Sequence, residues 1–182
     1  MRRFVQLICL AVLFSAFLPT PSGAQSPVAG TIAAGGDIGV LFPDEVLEKT
    51  FTIDGFGEYY VAPRISIRGL LAWASPGFEN FTEDKFRQYK LLFNGIYYWD
   101  YEKLKPFATV GAGAYFVREL LDDAVDPDSE TRGGMNFGGG TEFSLGTQAA
   151  ARVEVRFDLV SHPAGTTDAT GLSLTFGFKR YF

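Results

Sequence analysis

Beyond its first thirty or so residues the chain alternates. The stretch Gly171 to Phe182, GLSLTFGFKRYF, sets the pattern: Leu172, Leu174, Phe176 and Phe178 interleave with Ser173, Thr175, Gly177 and Lys179. A period of two with one apolar face is the signature of a strand. The same pattern predicts seven strands before it. The first, about Thr31 to Phe42, sets Ile32, Ala34, Ile38, Val40 and Phe42 against Asp37. The second, Phe51 to Val61, sets Phe51, Ile53, Tyr59 and Val61 against Asp54, Phe56 and Glu58. The third, Ile65 to Ala74, sets Ile65, Ile67, Leu71 and Trp73 against Ser66 and Arg68. The fourth, Tyr89 to Tyr97, sets Tyr89, Leu91, Phe93 and Tyr97 against Lys90 and Asn94. The fifth, Pro106 to Val117, alternates Ala108, Val110, Ala112, Ala114 and Phe116 with Thr109, Gly111, Gly113 and Tyr115. The sixth, Met135 to Leu145, points Met135, Phe137, Phe143 and Leu145 one way. The seventh, Ala149 to Leu159, sets Ala151, Val153, Val155, Phe157 and Leu159 against Arg152, Glu154, Arg156 and Asp158.

Connections alternate short and long. Ala62-Pro63-Arg64, Trp99 to Leu104 and Gly146-Thr147-Gln148 are short; Ser75 to Gln88, Glu119 to Gly133 and Ser161 to Thr170 read as longer polar loops. Each strand runs about ten residues, the length that a tilted strand needs to cross a bilayer. Tyr97, Trp99 and Tyr101 gather at the short-turn side, and Trp73 and Phe42 at the other, as interfacial girdles do. Alternation alone leaves the choice of inner face open, and a soluble barrel or sandwich would bury the apolar one. Volume decides against that. The polar face carries Gly111, Gly113, Gly138 and Gly140, which suit a narrow lumen, whereas the apolar face is bulky. The reading is all-β: an eight-stranded antiparallel transmembrane β-barrel.

The first residues differ. Arg2 and Arg3 precede an apolar run from Val5 to Leu18, and Ser22-Gly23-Ala24 reads as a small-residue cleavage site. Residues 1–24 are therefore expected to be a signal peptide and 25–182 the barrel domain. The apolar run is too short for a secure transmembrane helix. Cys9 lies within it, so the expected mature chain has no cysteine and no disulfide. Losing Arg2 and Arg3 takes the formal charge from −5 to −7. An acidic chain of this kind argues against nucleic acid as a partner.

Two carboxylate–guanidinium pairs stand out. Glu58 and Arg68 bracket the turn at Pro63, and Glu142 and Arg152 bracket the turn at Thr147 at the same spacing. Residues equidistant from a hairpin turn lie opposite each other on one face. Both pairs are expected to meet in the lumen, with Glu154, Arg156 and Asp158 extending the second into a ladder. One reading is a polar lumen held by ion pairs, which are costly to break. The other is a selectivity ring in a narrow channel. An eight-stranded barrel is barely wide enough for its own side chains, which favours the first.

The signal peptide, the turn–loop alternation, the strands PFATVGAGAYF, GGGTEF and ARVEVRFD, and the final Phe together resemble the small outer-membrane β-barrel family, OmpA transmembrane-domain-like. The likeness spans essentially the whole expected mature chain and leaves no segment for a periplasmic peptidoglycan-binding domain. It implies residence in the outer membrane of a Gram-negative envelope, outer-membrane lipid and lipopolysaccharide as surroundings, and a largely occluded lumen. It also implies that the last strand, through Phe176, Phe178 and Phe182, is the signal read by the barrel-insertion machinery. Arg180 departs from that strand's outward apolar pattern, at a depth where a long cation snorkels to the interface. The family implies no single activity, so a structural or surface-interaction role is expected, porin-like at most, in a monomer without cofactor.

Other chemistry is thinly supported. Outer-membrane lipid A deacylases are eight-stranded barrels with a His-x-Ser near the last strands; here His162 is followed two positions on by Ala164, and Ser161 adjoins it, so neighbours would point to opposite faces. A soluble exported ligand-binding barrel is the remaining alternative. Asp122, Asp123, Asp126, Asp128 and Glu130 make an acidic loop, but Pro127 interrupts it and no glycine stands where a calcium loop requires one. A solvated acidic loop is the simpler reading, with divalent cations bridging it to lipopolysaccharide phosphates as the other; no metal-ligand cluster or nucleotide fingerprint is present.

Overall fold

A computed structural model describes residues 27–43, 48–75, 77–78, 81–99, 104–120, 129–161 and 169–182. Eight antiparallel strands close into a barrel: β1 Ile32–Pro43, β2 Thr50–Ala62, β3 Ile65–Ala74, β4 Phe81–Tyr98, β5 Leu104–Leu120, β6 Ser129–Ser144, β7 Ala149–Val160 and β8 Gly171–Tyr181. Each pairs with its sequence neighbours, and β1 also pairs with β8, Ala33 opposite Tyr181 through Pro43 opposite Gly171. Every strand thus has two partners, and the backbone donors and acceptors of a sheet edge, intolerable in hydrocarbon, are all paired.

Three strands run further than the alternation suggests. β4 begins at Phe81 rather than near Tyr89, β5 continues to Leu120, and β6 begins at Ser129 rather than Met135. A two-residue bridge, Gly77–Phe78, pairs back onto β4. The segments read as loops at Ser75 to Gln88 and Glu119 to Gly133 are therefore partly ladder. These extensions rise past the apolar band, so neither face carries the alternating signal, while backbone pairing continues regardless.

The two faces are inverted relative to a soluble barrel. Outward side chains are large and apolar, among them Ile38, Ile67, Leu71, Phe93, Val110, Met135 and Phe176, all exposed. Inward side chains include Asp37, Asp54, Glu58, Arg68, Lys90, Asn94, Arg152, Glu154, Arg156, Asp158 and Lys179, all buried. Apolar side chains inside form two clusters, with Phe56 and Tyr115 belonging to the first. Leu70, Ala72, Leu92, Val117, Val160 and Ala169 run from mid-barrel toward the long-loop end; Ala33, Tyr60, Ile96, Tyr98 and Phe107, with Tyr181 against them, lie on the short-turn side. Outside that end Tyr97 and Trp99 meet edge to face at 5.1 Å between ring centroids. The β6–β7 turn needs Gly146, whose φ of 95° few other residues adopt.

Candidate functional site

The lumen carries the one constellation of chemical interest. Hairpin symmetry about the Pro63 turn puts Glu58 opposite Arg68, and Arg68 Nε lies 3.2 Å from Glu58 Oε2. Ser66 Oγ donates to the other carboxylate oxygen of Glu58 at 2.7 Å. Arg68 then reaches across the barrel: its Nη1 lies 2.8 Å from Glu154 Oε2 on β7. Glu154 is the shared anion of the middle layer, taking Arg68, Arg152 through Nη2, and Arg156 Nη1 at 3.6 Å. Toward the long loops the network continues through Arg156 to Asp54 at 3.0 Å and to Asp158 at 3.5 Å. Lys90 closes it on Asp158 at 2.6 Å, and the Tyr115 hydroxyl donates to the same carboxylate at 3.0 Å.

The second hairpin keeps its register but not its pairing. Glu142 is opposite Arg152 along the wall, yet its carboxylate meets Lys179 Nζ at 2.7 Å and accepts the hydroxyls of Tyr98 and Tyr181 at 3.2 and 3.1 Å. Arg152 turns instead to Glu154 and, at 3.7 Å, to Asp37. The expected Glu142–Arg152 contact is thus exchanged for two others. In so narrow a barrel a long side chain reaches the far wall as readily as its neighbour, and charge on other strands competes for it. Lys179 is the hub of the short-turn end. Its ammonium donates to Tyr60 at 2.7 Å and Tyr98 at 3.1 Å, lies 3.4 Å from Glu58, and sits about 5 Å from the ring centroids of Tyr60, Tyr98 and Tyr181.

Between these layers two phenyl rings sandwich the arginines. The guanidinium carbons of Arg68 and Arg152 lie 4.9 and 4.6 Å from the Phe56 ring centroid, and 5.7 and 5.2 Å from that of Phe107. Glycines make room: a Cβ on Gly35 would lie 2.6 Å from the Phe56 ring, and one on Gly140 would lie 2.9 Å from Phe107.

The charges balance closely. Six buried acids, Asp37, Asp54, Glu58, Glu142, Glu154 and Asp158, face seven buried bases, Arg68, Lys90, Lys105, Arg132, Arg152, Arg156 and Lys179, among the described residues. Nothing in the set resembles an activated nucleophile, and the described residues contain no cluster suited to a metal ion. The arrangement does electrostatic work: it fills the lumen, ties seven strands together across it, and leaves both carboxylate oxygens of Asp37 without a hydrogen-bond donor.

The sequence placed Lys179, Lys90, Asp37 and Asp54 on the polar face without singling them out. Their partners, up to 121 positions away, become neighbours only once the sheet closes. Of the last strand's aromatics, Phe176 and Phe182 are exposed and Phe178 is half-buried; the Phe182 amide donates to Ile32 O at 2.8 Å, fastening the chain end to β1. His162 and the acidic positions Asp122, Asp123, Asp126 and Asp128 lie outside the described residues. Glu130, at the edge of that loop, pairs with Arg132 at 2.8 Å.

Residues 9–182 match the sequence profile of the outer membrane protein beta-barrel domain. Comparison with curated proteins returns no match. Among solved structures, Neisserial surface protein A (NspA) superposes with a TM-score of 0.66 at 12% identity, over 84% of this chain and 96% of that one. OprG from Pseudomonas aeruginosa gives 0.64 at 12% identity, over 87% and 99%. The N-terminal barrel domain of OprF from the same organism gives 0.60 at 11%, over 86% and 100%. At such identities the likeness is one of fold.

Proposed function

The chain belongs to the outer membrane protein β-barrel domain family and resides in the outer membrane, and from that premise we propose that it is a non-enzymatic, closed barrel whose lumen is structural and whose outer end faces the surroundings of the cell. The observation that carries this is the filling of the lumen. Arg68, Arg152, Arg156, Lys90, Lys179, Tyr60, Tyr98 and Tyr115 are the largest fully buried side chains, and all point inward. Side chains of this size and the ion pairs between them crowd a lumen of this width against the passage of a hydrated solute. The porin-like alternative requires the network to open, so one measurement separates the two. Refolded into planar bilayers, the protein should give no stable conductance step and proteoliposomes should not swell in small sugars; reproducible openings would replace the structural reading with a channel.

The remaining parts of the proposal concern biogenesis and company. Residues 1–24 act as a cleavable leader, so intact mass of protein from the outer membrane should place the N-terminus near Gln25. Phe176 and Phe178 on β8 and Phe182 immediately after it present the insertion signal. The barrel works as a monomer among outer-membrane lipid and lipopolysaccharide, with no cofactor and no nucleic-acid partner.

A further inference from the structure

The outward face is apolar across the membrane band, and two arginines end it together. On β4, Arg87 follows the outward Tyr89 toward the long-loop end; on β5, Arg118 follows the outward Phe116. The register pairs Tyr89 with Phe116 and Arg87 with Arg118. The arginines are therefore the next outward rung beyond an aromatic one, which is where a girdle gives way to lipid headgroups. Tyr89 and Phe116 are 47% and 43% exposed, Arg118 is exposed and Arg87 half-buried.

Directly opposed side chains start about 5 Å apart at Cβ, and like charges so placed repel. In the lumen Arg68, Arg152 and Arg156 each meet a carboxylate. At this rung no described residue supplies one. The next strand offers Ser129 beside Arg118 and Thr131 beside Phe116, neither acidic. Among the described residues neither arginine has an ion pair, and Arg87 Nε is buried without a hydrogen-bond partner. Two guanidinium side chains on directly paired outward positions, with no counter-charge among the described residues, match a phosphate group, which takes bidentate hydrogen bonds from guanidinium and carries charge enough for both.

We propose that Arg87 and Arg118 form a clamp for a phosphate on the sugar headgroup of an outer-leaflet glycolipid, the phosphorylated lipid A part of lipopolysaccharide. The clamp rests on the outward face and membrane residence already described and is independent of whether the lumen conducts. Its ligand is lipid-anchored, because Tyr89 and Phe116 lie directly beneath it to meet acyl chains while the forks meet the headgroup.

The test uses the full barrel refolded in micelles, its folding checked by heat-modifiable migration, with bound lipid counted by native mass spectrometry. Wild type should retain bisphosphorylated lipid A. The Arg87→Gln/Arg118→Gln variant should bind it about tenfold or more weakly, the loss expected when charge-assisted hydrogen bonds are removed. Lipid A stripped of both phosphates should bind wild type as weakly as bisphosphorylated lipid A binds the variant, a comparison that stands even if the variant fails to fold. Arg64→Gln, at the opposite end of the barrel, should leave retention unchanged. Equal retention of the two lipids by wild type, or by wild type and double variant, would overturn the clamp. Displacement of lipid A by millimolar inorganic phosphate would assign the arginines to a soluble anion and overturn the lipid assignment.

Discussion

At the scale of single residues the lumen is a problem in burying charge. A charge removed from water is tolerated only when its partners are at hand, and deleting one partner leaves the others exposed to a low dielectric. Glu154 is the sharpest case, because Arg68, Arg152 and Arg156 all converge on it. Glu154→Gln should destabilise the barrel by about 3–5 kcal/mol in a denaturant titration in lipid vesicles. Adding Arg152→Gln should recover part of that loss, since one of the stranded cations goes with it. Glu130 supplies the contrast. It pairs with the buried Arg132 but has 40% of its own side chain exposed, and it serves one cation rather than three, so Glu130→Gln should cost clearly less than Glu154→Gln. Comparable losses at Glu154 and Glu130 would mean that water reaches the middle of the lumen. This is also the scale at which sequence was least informative. Symmetry about a turn told that Glu58 faces Arg68 because both lie on adjacent strands. It could not tell that Glu142 prefers Lys179, because that contact reaches past β7 to β8, and symmetry about one turn ranks only the two strands it joins.

At the scale of elements the alternation was legible wherever one face meets lipid and the other the lumen. Asp37, Phe56, Arg68, Lys90, Tyr115 and Arg156 lie inside, as their parity required. It fades along FTEDKFRQ, where neither parity is consistently apolar, so the pattern predicts a start for β4 near Tyr89 whereas the strand starts at Phe81. The period of two also makes the faces exclusive, since a one-residue slip exchanges every side chain between lumen and lipid. That gives a prediction at the level of a strand face. Val155 and Phe93 are 43% and 61% exposed on the outer wall. An arginine at either position would stand in hydrocarbon, and Val155→Arg or Phe93→Arg should cost about 2–4 kcal/mol in a lipid-refolding titration. Phe51→Arg, near the long-loop rim of β2, should cost less, because the penalty falls toward the interface and a guanidinium there snorkels to water. A loss below half of the lower figure at Val155 would mean that the outward wall is not the lipid-facing one.

For the whole molecule the deciding question is which end faces out. Closure places the short turns at Arg64 and Gln148 at one end, together with the start of β1 and the end of β8, where Ala33 pairs with Tyr181. Ser161, just past the end of β7, lies at the other. Outer-membrane barrels carry short turns on the periplasmic side and longer loops outside. The chain's one cysteine, Cys9, falls within the proposed leader, so a mature protein would carry only the thiols placed in it. Ser161 and Arg64 are both exposed in the structure, which removes burial as a reason for either site to stay unlabelled. Ser161→Cys should therefore react with a membrane-impermeant maleimide on intact cells. Arg64→Cys should stay unlabelled until the outer membrane is permeabilised and then react as fast. The two sites test opposite ends of one closed body, so they must change places together if the barrel sits the other way. Labelling of Arg64→Cys on intact cells, with Ser161→Cys protected, would invert the orientation, and with it would move the Arg87–Arg118 rung to the periplasmic leaflet, away from lipid A.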